Sequence, residues 1–265
     1  MKSTGEGSEA VEVKVLGAHG PYPGPGGACS GLLVSWGDTR VLVDCGSGVA
    51  GQLAAVCSPA ALDAVFLSHL HGDHFSDLLV LRYAVQLGME RGERNRPLTV
   101  YAPPEPEEVF RLINYKEVLA AEAVGAGTRL SLGGATVDFL KTCHPVETLA
   151  VRIARDGVRV VYSADTAYFH ELVEFARGAD LFVCEASLQE KDREKAKAGH
   201  LTARQAAEIG RDAGVKKLLL THLWPGYDPD GLLAEAAAVR CEGIELAVVG
   251  KVYRVGPGAR SPAGN

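Results

Sequence analysis

One stretch of the chain reads Leu67-Ser68-His69-Leu70-His71-Gly72-Asp73-His74, with three imidazoles and one carboxylate within six positions. It begins at the end of the apolar run Ala64-Val65-Phe66-Leu67, which is typical of a strand buried on both faces. A strand cannot continue through so many polar residues and keep its core face, so we expect a loop at its carboxyl end. The crowding of these side chains indicates a metal site. A surface loop merely rich in histidine is disfavoured, because six of the eight histidines fall in this or three other site-like segments.

The same pattern recurs along the chain, where a predicted strand ends and a ligand-type residue follows. Functional sites in α/β folds gather at the carboxyl ends of strands, so we expect these residues to share one edge. Mixed imidazole and carboxylate ligation suits zinc, with manganese or iron as alternatives. The residues are Asp44, His69, His144, Asp165, Glu185 and His222.

The length and the net charge limit the number of domains and the kind of partner that we expect. The chain has 265 residues and 47% hydrophobic content, which is enough for a large core, and an α/β fold of this length is routinely one domain. We predict a single domain over 1–265, with flexible tails at 1–10 and 257–265. The formal net charge of -6 disfavours extensive gripping of a phosphate backbone, for which a basic face is usual.

Cysteine usage and the amino-terminal segment predict a cytoplasmic protein. The six cysteines are scattered without a CxxC pair, and we expect reduced, mostly buried thiols. Residues 1–10 are polar and contain no apolar signal region, and no run approaches the eighteen apolar residues of a membrane span. The sequence therefore indicates neither export nor membrane insertion.

Several local patterns predict individual elements. The segment 19–27 alternates proline and glycine, which predicts either a rigid rim beside the site or a plain connecting loop. Apolar spacing predicts a helix over 76–87, with Ser76 as its amino-terminal cap and Gly88 as its end. The charged segment 89–97 is predicted to be a solvated loop rather than a substrate clamp. Its arginines are Arg91, Arg94 and Arg96.

Two further patterns lie in the carboxyl-terminal third. Thr202 and Gln205 match a capping box at the start of a helix that should run to Ala213. The last strands, around 245–255, are predicted to form a hairpin that turns at Gly250.

The motif His69-x-His71-x-Asp73-His74, followed by His144, Asp165 and His222, resembles the metallo-β-lactamase-fold hydrolase superfamily over nearly the whole chain. Three downstream partners in the expected order make this match far more specific than a lone HxH. The resemblance implies a four-layer αββα sandwich of two mixed β-sheets flanked by helices. It also implies two divalent metal ions as cofactors, with zinc favoured and manganese or iron as alternatives.

Carried over residue by residue, the resemblance assigns roles within the site. One metal is implied at His69, His71 and His144. A second is implied at Asp73, His74 and His222, with Asp165 bridging the two. Two such ions activate water and stabilise the attacking and leaving oxygens, which is the equipment of a hydrolase. Asp44 resembles the superfamily's aspartate that orients the histidine loop behind the metals, and a plain turn-forming carboxylate is the alternative.

A second resemblance narrows the reaction. Cys184-Glu185-Ala186-Ser187 and Gly199-His200-Leu201-Thr202 resemble the paired Glu and His segments of the ribonuclease Z branch, which handles phosphodiesters. Glu185 would orient and charge His200, whose imidazolium could protonate a leaving alkoxide. The helix after Thr202 would also present free N–H groups to a phosphate oxygen. The alternative makes His200 a helix-entry residue and Glu185 a buried ion-pair partner, but two matching segments in order favour the functional interpretation.

The chain also departs from ribonuclease Z. The tRNA-processing enzymes carry a long basic arm before the bridging aspartate, whereas His144 and Asp165 are only 21 positions apart here and a predicted hairpin fills the interval. Residues 74–77 lack the glycine that usually follows the histidine motif in those enzymes. The missing arm and the acidic net charge resemble compact ribonuclease Z-like phosphodiesterases and favour a small substrate.

We therefore predict a dinuclear phosphodiesterase acting on a small phosphodiester such as a cyclic nucleotide. Asp73 would also accept the proton of the attacking water, and Glu185 with His200 would assist the leaving group. RNA 3′-end cleavage without the tRNA-binding arm remains a variant of this hypothesis. The alternatives are a thioester, lactone or lactam hydrolase of the same fold and a metal-stabilised binding protein. RNA is a less favoured partner, no membrane partner is expected, and a homodimer is left open.

Overall fold

The computed structural model describes residues 10–240 and 242–256. Apart from Ala10, the predicted flexible tails at 1–10 and 257–265 lie outside these residues, and the prediction of one domain over the whole chain stays a prediction. None of the described helices is both long and apolar enough to cross a bilayer.

The described strands form two mixed sheets of seven strands each. In chain order they are β1 (Val11–Gly17), β2 (Gly31–Trp36), β3 (Thr39–Val43), β4 (Ala64–Phe66), β5 (Leu98–Ala102), β6 (Leu119–Ala123), β7 (Arg129–Leu132), β8 (Ala135–Lys141), β9 (Leu149–Arg155), β10 (Val158–Tyr162), β11 (Leu181–Glu185), β12 (Lys217–Thr221), β13 (Ile244–Leu246) and β14 (Val252–Val255). The first sheet has the order β14-β1-β2-β3-β4-β5-β6, and the second has the order β13-β12-β11-β10-β9-β8-β7.

Helices flank both sheets. The α-helices are α1 (Val49–Ala54), α2 (Gly72–Phe75), α3 (Leu78–Glu90), α4 (Glu107–Ile113), α5 (His170–Ala176), α6 (Ala203–Asp212) and α7 (Pro229–Ala237). Short 3-10 segments span Pro59–Ala61 and Glu190–Ala198, the second of them kinked at Asp192.

Three hydrophobic clusters define the layers. The cluster between the sheets joins inward residues of both, such as Val13 on β1 and Ile153 on β9. A second cluster packs α1, α3 and α4 on the outer face of the first sheet, for example through Leu81. A third packs α5, α6 and α7 on the outer face of the second sheet, for example through Ile209. This arrangement is the four-layer αββα sandwich that the resemblance implied, so the predicted fold class is confirmed.

The direction of the strands positions the site. In the first sheet, β3 and β4 are parallel neighbours. In the second sheet, β10, β11 and β12 are parallel neighbours, and β8 runs the same way because β9 is antiparallel to both β8 and β10. The candidate ligands follow the carboxyl ends of these strands.

The predicted hairpin at the end of the chain is wrong. β13 pairs in parallel with β12 in the second sheet, whereas β14 pairs antiparallel with β1 in the first sheet. The turn at Gly250 therefore carries the chain from one sheet to the other. Apolar alternation identifies a strand but does not identify its partner, because partner choice depends on which edges the rest of the fold leaves open.

The predicted limits of α3 are also wrong. Ser76 ends the short helix α2, and Asp77 occupies the amino-terminal cap position of α3. Gly88 lies inside α3. A Cβ built on this residue would come within 2.3 Å of the Cβ of Ala60. The glycine marks close packing rather than the end of the helix.

The charged segment after α3 is held by one arginine. Arg94 donates to the backbone carbonyls of Leu62 at 2.6 Å, Arg96 at 2.7 Å, Pro97 at 2.9 Å and Ala60 at 3.2 Å. This side chain ties the segment to the preceding loop, whereas the side chain of Arg91 is 70% exposed and is solvated as predicted.

Candidate metal centre

The predicted site residues meet at one edge of the sandwich. Asp44 follows β3 and His69 lies three residues after β4, while Asp165 and His222 follow strands of the second sheet. The loop after β8 supplies His144 from the same direction. Potential ligand atoms group within 4.8 Å of one another in several sets of three, and two of these sets match the predicted metal sites.

The first set is His69, His71 and His144. His71 Nδ1 lies 3.1 Å from His69 Nε2 and 3.2 Å from His144 Nε2. A tetrahedral ion with ligand nitrogens at about 2.0–2.1 Å separates those nitrogens by roughly 3.3 Å. Both distances from His71 Nδ1 are therefore close to the spacing that one such ion requires.

The second set is Asp73, His74 and His222. Asp73 Oδ2 lies 3.1 Å from His222 Nε2 and 3.6 Å from His74 Nε2. Asp165 lies between the two sets, because its Oδ1 is 3.4 Å from His74 Nε2 and its Oδ2 is 3.3 Å from His222 Nε2 and 3.8 Å from His69 Nε2. This position suits the bridging role that the resemblance implied.

Hydrogen bonds on the outer side of four histidines fix their tautomers. The Nδ1–H groups of these rings have oxygen acceptors, so their Nε2 lone pairs face the site. The acceptors are Ser68 Oγ for His69 at 3.0 Å, Asp44 Oδ2 for His74 at 2.7 Å, the Gly199 carbonyl for His144 at 2.9 Å and Ser187 Oγ for His222 at 2.7 Å. His71 instead presents Nδ1 to the site.

The ligand atoms that face the interior of the site have the surroundings expected of cation ligands. His74 Nε2 and Asp165 Oδ1 are buried and have no hydrogen-bond partner. Unsatisfied buried polar atoms are costly, and lone pairs that converge on each other are satisfied by a cation between them. The donor set of imidazoles and carboxylates suits zinc, manganese or iron. The number and identity of the ions remain predictions.

The ionisation states of four predicted ligands suit metal ligation. His74 differs, because burial lowers its pKa but Asp165 and Asp44 outweigh burial and raise it. Burial raises the pKa of the Asp165 carboxyl, but the imidazoles of His222 and His74 outweigh it and hold that pKa well below its usual range. Burial likewise raises the pKa of Asp73, but its hydrogen bond to His222 and the nearby imidazoles of His74 and His222 together outweigh burial and lower that pKa. Burial lowers the pKa of His69 and of His71, so both rings are neutral. Ionised carboxylates and neutral imidazoles are the forms that bind metal.

Asp44 lies behind the histidines, fully buried, as predicted for a residue that orients the histidine loop. Its carboxylate accepts from the Ser68 N–H at 2.7 Å, the Ser68 hydroxyl at 2.8 Å, His74 Nδ1 at 2.7 Å and the Tyr162 hydroxyl at 2.9 Å. A turn-forming carboxylate would not hold four buried donors from two separate segments, the histidine motif and the end of β10.

Glu185 and His200 form the predicted pair beside the metal residues. Glu185 is fully buried, and its Oε1 lies 3.1 Å from His200 Nδ1. Burial lowers the pKa of His200, but Glu185 outweighs it and raises that pKa to about 9. The His200 ring stacks on His222, with centroids 5.5 Å apart and an angle of 14°. A protonatable imidazole thus lies directly against a candidate metal ligand.

The start of α6 does not offer the phosphate site that the sequence suggested. The Thr202 hydroxyl accepts from the Gln205 N–H, and the Gln205 side chain accepts from the Thr202 N–H, which completes the predicted capping box. The Ala203 N–H donates to the carbonyl of Leu188. The expectation of free N–H groups is wrong at these three positions because the chain's own groups satisfy them.

The segment 19–27 after β1, which is rich in proline and glycine, lies beside the second set of candidate metal ligands. The Gly20 N–H donates to the Leu223 carbonyl at 3.2 Å, and a Cβ built on Gly20 would come within 2.1 Å of His222 Nε2. Only glycine fits there, so the segment 19–27 forms one wall of the site. This supports the interpretation as a rim rather than a plain loop.

Three residues that contact the site residues were missed at the level of sequence. They are Ser68, Tyr162 and Ser187, and each donates to Asp44 or Glu185. Ser68 precedes His69 and Ser187 follows Glu185 by two positions, so adjacency was the available signal. Tyr162 ends β10 and gave no signal beyond a strand-end aromatic residue.

Comparison with known proteins agrees with this geometry. A family model described as "Beta-lactamase superfamily domain" matches residues 39–223. The chain is 36% identical to "Probable metallo-hydrolase YhfI" of Bacillus subtilis (strain 168), over 92% of this chain and 99% of that protein. The crystal structure of YhfI, a metallo-beta-lactamase fold protein, superposes with a TM-score of 0.89 over 93% of this chain and 100% of that chain.

Two other relatives are named for RNA-processing enzymes. "Ribonuclease Z" of Archaeoglobus fulgidus is 28% identical over 86% of this chain and 92% of that protein. The structure of human tRNase Z, short form, superposes with a TM-score of 0.73 at 21% identity, over 91% of this chain and 98% of that chain. At that identity the second likeness shows the fold alone.

Proposed function

Because the chain belongs to the beta-lactamase superfamily, we propose that it is a metal-dependent phosphodiesterase acting on small phosphodiesters such as cyclic nucleotides. The chain is a hydrolase of the metallo-β-lactamase fold. The substrate class is our proposal, as are a cytoplasmic location and zinc as the metal. A homodimer is left open.

The observation that carries the proposal is the pair formed by buried Glu185 and half-buried His200, which packs against His222. Hydrolysis of a phosphodiester expels an alkoxide, which is a poor leaving group unless it is protonated as it departs. A thiolate leaves a thioester without such help. A proton donor placed beside the metal residues is therefore more useful to a phosphodiesterase than to a thioesterase.

The roles of the chain's own groups follow from their positions. His69, His71 and His144 would hold one ion and Asp73, His74 and His222 the other, with Asp165 between them. The ions supply Lewis-acid activation of water and stabilisation of the developing charge on oxygen.

Asp73, which is ionised, accepts the proton that the attacking water loses as its oxygen bonds to phosphorus. The bond from phosphorus to the ester oxygen breaks, and His200 gives its proton to that oxygen. The products are a phosphomonoester and an alcohol, which in a cyclic nucleotide belong to the same molecule. Against burial, Glu185 makes the largest contribution to the raised pKa of His200, and bound cations would oppose that rise.

A small substrate is supported by the interval between His144 and Asp165. β9 and β10 occupy most of it as a tight hairpin through Asp156 and Gly157, so no substrate-binding arm projects from this part of the chain. The relative named ribonuclease Z makes RNA 3′-end cleavage the second candidate.

A substrate panel on protein of measured metal content tests the proposal. The panel contains bis-p-nitrophenyl phosphate, 3′,5′-cyclic nucleotides, a precursor tRNA, lactoylglutathione and a chromogenic lactam. We expect metal-dependent turnover of the small diesters to exceed that of every other substrate. Faster cleavage of the tRNA, thioester or lactam would replace the proposed substrate. No turnover of any substrate by fully metallated protein would favour a metal-stabilised binding protein.

The role of His200 has a sharper test. His200→Ala should lower kcat about 100-fold to 10,000-fold on a diester with an alkoxide leaving group, and much less on bis-p-nitrophenyl phosphate, whose leaving group needs no proton. Metal content should be unchanged. Equal losses on both substrates would contradict the role as proton donor, and loss of metal would instead make His200 a ligand.

His170→Ala is the matched control. His170 begins α5, and its side chain is 76% exposed. Its replacement should leave turnover of both substrates and metal content as in the parent protein.

A further inference from the structure

Ser187 has a buried hydroxyl with two close polar neighbours of different kinds and a more distant one, His200 Nδ1, at 3.5 Å. Its Oγ lies 2.7 Å from Glu185 Oε2 and 2.7 Å from His222 Nδ1. An ionised carboxylate only accepts, so the hydroxyl hydrogen points to Glu185 and the oxygen accepts the Nδ1–H of His222. The His222 Nε2 lone pair then faces Asp73 and Asp165, at 3.1 Å and 3.3 Å.

The Glu185 carboxylate accepts hydrogen bonds from groups on two sides of the candidate metal centre. Its carboxylate accepts from the Thr166 N–H at 2.7 Å, beside Asp165, and from the Leu201 N–H at 3.1 Å, beside His200. The same carboxylate bonds the His200 ring directly and reaches the His222 ring through Ser187. One buried carboxylate therefore orients the proposed proton donor and a candidate metal ligand together.

The first sheet contains the same arrangement. Ser68 Oγ donates to Asp44 Oδ2 at 2.8 Å and lies 3.0 Å from His69 Nδ1 and 3.4 Å from His74 Nδ1. The nearer ring belongs to the first predicted metal site, so a carboxylate, a hydroxyl and an imidazole are linked behind each site. We call these two groups of hydrogen-bonded side chains the Ser187 relay (Glu185, Ser187, His222) and the Ser68 relay (Asp44, Ser68, His69).

We propose that Ser187 is a positioning residue that fixes the tautomer and orientation of His222 and thereby tunes the metal site of Asp73, His74 and His222 separately from the other site. This inference rests on the metal-binding part of the proposed function and not on the substrate. Without the hydroxyl, the His222 Nδ1–H loses its acceptor and Glu185 loses one of its donors. Partners behind metal-bound imidazoles typically affect affinity 10-fold to 100-fold.

Metal titrations of Ser187→Ala, Ser68→Ala and the double variant test the proposal. Each protein is stripped of metal and titrated with zinc against a chromophoric chelator, which measures two affinities without any substrate. We expect Ser187→Ala to weaken one of two zinc equivalents by about 10-fold to 100-fold and to keep the other. Ser68 contacts His69 and, through Asp44, His74, so Ser68→Ala should weaken the equivalent that Ser187→Ala keeps. The double variant should weaken both. The relay is overturned if Ser187→Ala keeps both affinities, or if the double variant keeps one equivalent at full affinity.

A spectroscopic measurement separates orientation from general loosening of the fold. In zinc-loaded protein labelled with ¹⁵N-histidine, the Nδ1–H resonance of His222 should shift or exchange away in Ser187→Ala. The Nδ1–H of His144, which donates to the Gly199 carbonyl, should stay in place. Movement of both resonances, or of neither, would contradict the relay. These readouts stand if the phosphodiester assay fails, and activity loss with intact metal binding would bear only on the proposed function.

Discussion

At the scale of single residues, the buried carboxylate of Asp44 shows how the chain keeps its candidate ligands in place. Asp44 adopts a left-handed φ of 60°, as do Ala164 at 54° and His222 at 56°. Such conformations are unfavourable for residues other than glycine and persist where the surroundings enforce them. All three lie in or beside the candidate metal centre, so the fold accepts backbone strain to aim these side chains.

Asp44→Asn should weaken metal binding. The amide keeps the size of the side chain but points an NH₂ group at donors from Ser68, His74 or Tyr162, so at least one of them loses its acceptor. We expect metal affinity to fall by about 10-fold to 100-fold, measured as metal retained against increasing chelator concentration.

Asp38→Asn makes the same chemical change at an exposed turn between β2 and β3. It should retain metal as the parent protein does. Equal retention by Asp44→Asn would show that the carboxylate is not needed behind the histidines.

At the scale of elements, two glycines inside helices have opposite packing environments. Gly88 in α3 faces the Cβ of Ala60, whereas Gly51 in α1 has no atom within 4 Å of an added Cβ. The two positions therefore predict opposite effects of the same substitution.

Gly88→Ala should destabilise the protein by about 1–3 kcal/mol, because the new methyl overpacks the contact with the 3-10 segment at Ala60. Gly51→Ala should stabilise it by about 0.5–1 kcal/mol, because alanine loses less backbone entropy in a helix. Urea unfolding midpoints measure both changes. A stabilising effect at both positions would mean that α3 can shift away from Ala60 without cost.

At the scale of the whole molecule, polar contacts join the two sheets at separate places. Near the site, Tyr162 of the second sheet donates to Asp44 behind the first. Elsewhere, Glu245 on β13 bonds Lys217 at 2.6 Å and the Tyr253 hydroxyl of β14 at 3.1 Å, and it also pairs with Lys251. Burial raises the pKa of Glu245, but the hydrogen bonds of Lys217 and Lys251 outweigh it and lower the pKa to about 2.

Glu245→Gln should lower the free energy of unfolding at neutral pH by about 1 kcal/mol, a value reduced for solvent screening of a partly exposed group. A carboxyl with a lowered folded-state pKa stabilises above its ordinary value of 4.5 and loses this contribution as pH falls toward about 2. Urea midpoints of the parent and variant should therefore converge between pH 4.5 and pH 2.

Glu174→Gln is the control for this measurement, because Glu174 pairs with Arg177 on an exposed surface. Its midpoint should follow that of the parent protein at every pH. A difference in urea midpoint between Glu245→Gln and the parent protein that stays constant down to pH 2 would contradict the stabilising role of the Glu245 charge.

The amino-acid sequence by itself determined the fold class and the set of candidate ligands. The motif from His69 to His74 is local, and most of the later candidates follow a recognisable strand, so spacing and the rule that sites gather at strand ends predicted one metal site. The resemblance to the superfamily implied the fold class, the grouping of the ligands and the role of Asp44. The roles of Glu185 and His200 came from the resemblance of their two segments to the ribonuclease Z branch.

Only the tertiary structure decided how those residues are held. The Ser187 relay joins side chains from the ends of β11 and β12, Tyr162 reaches Asp44 across the two sheets, and the last two strands enter different sheets. Three N–H groups at the start of α6 that were predicted to be free are instead satisfied by Thr202, Gln205 and Leu188. Hydrogen bonds and packing between distant segments depend on distances in space, which the order and spacing of residues along one chain do not specify.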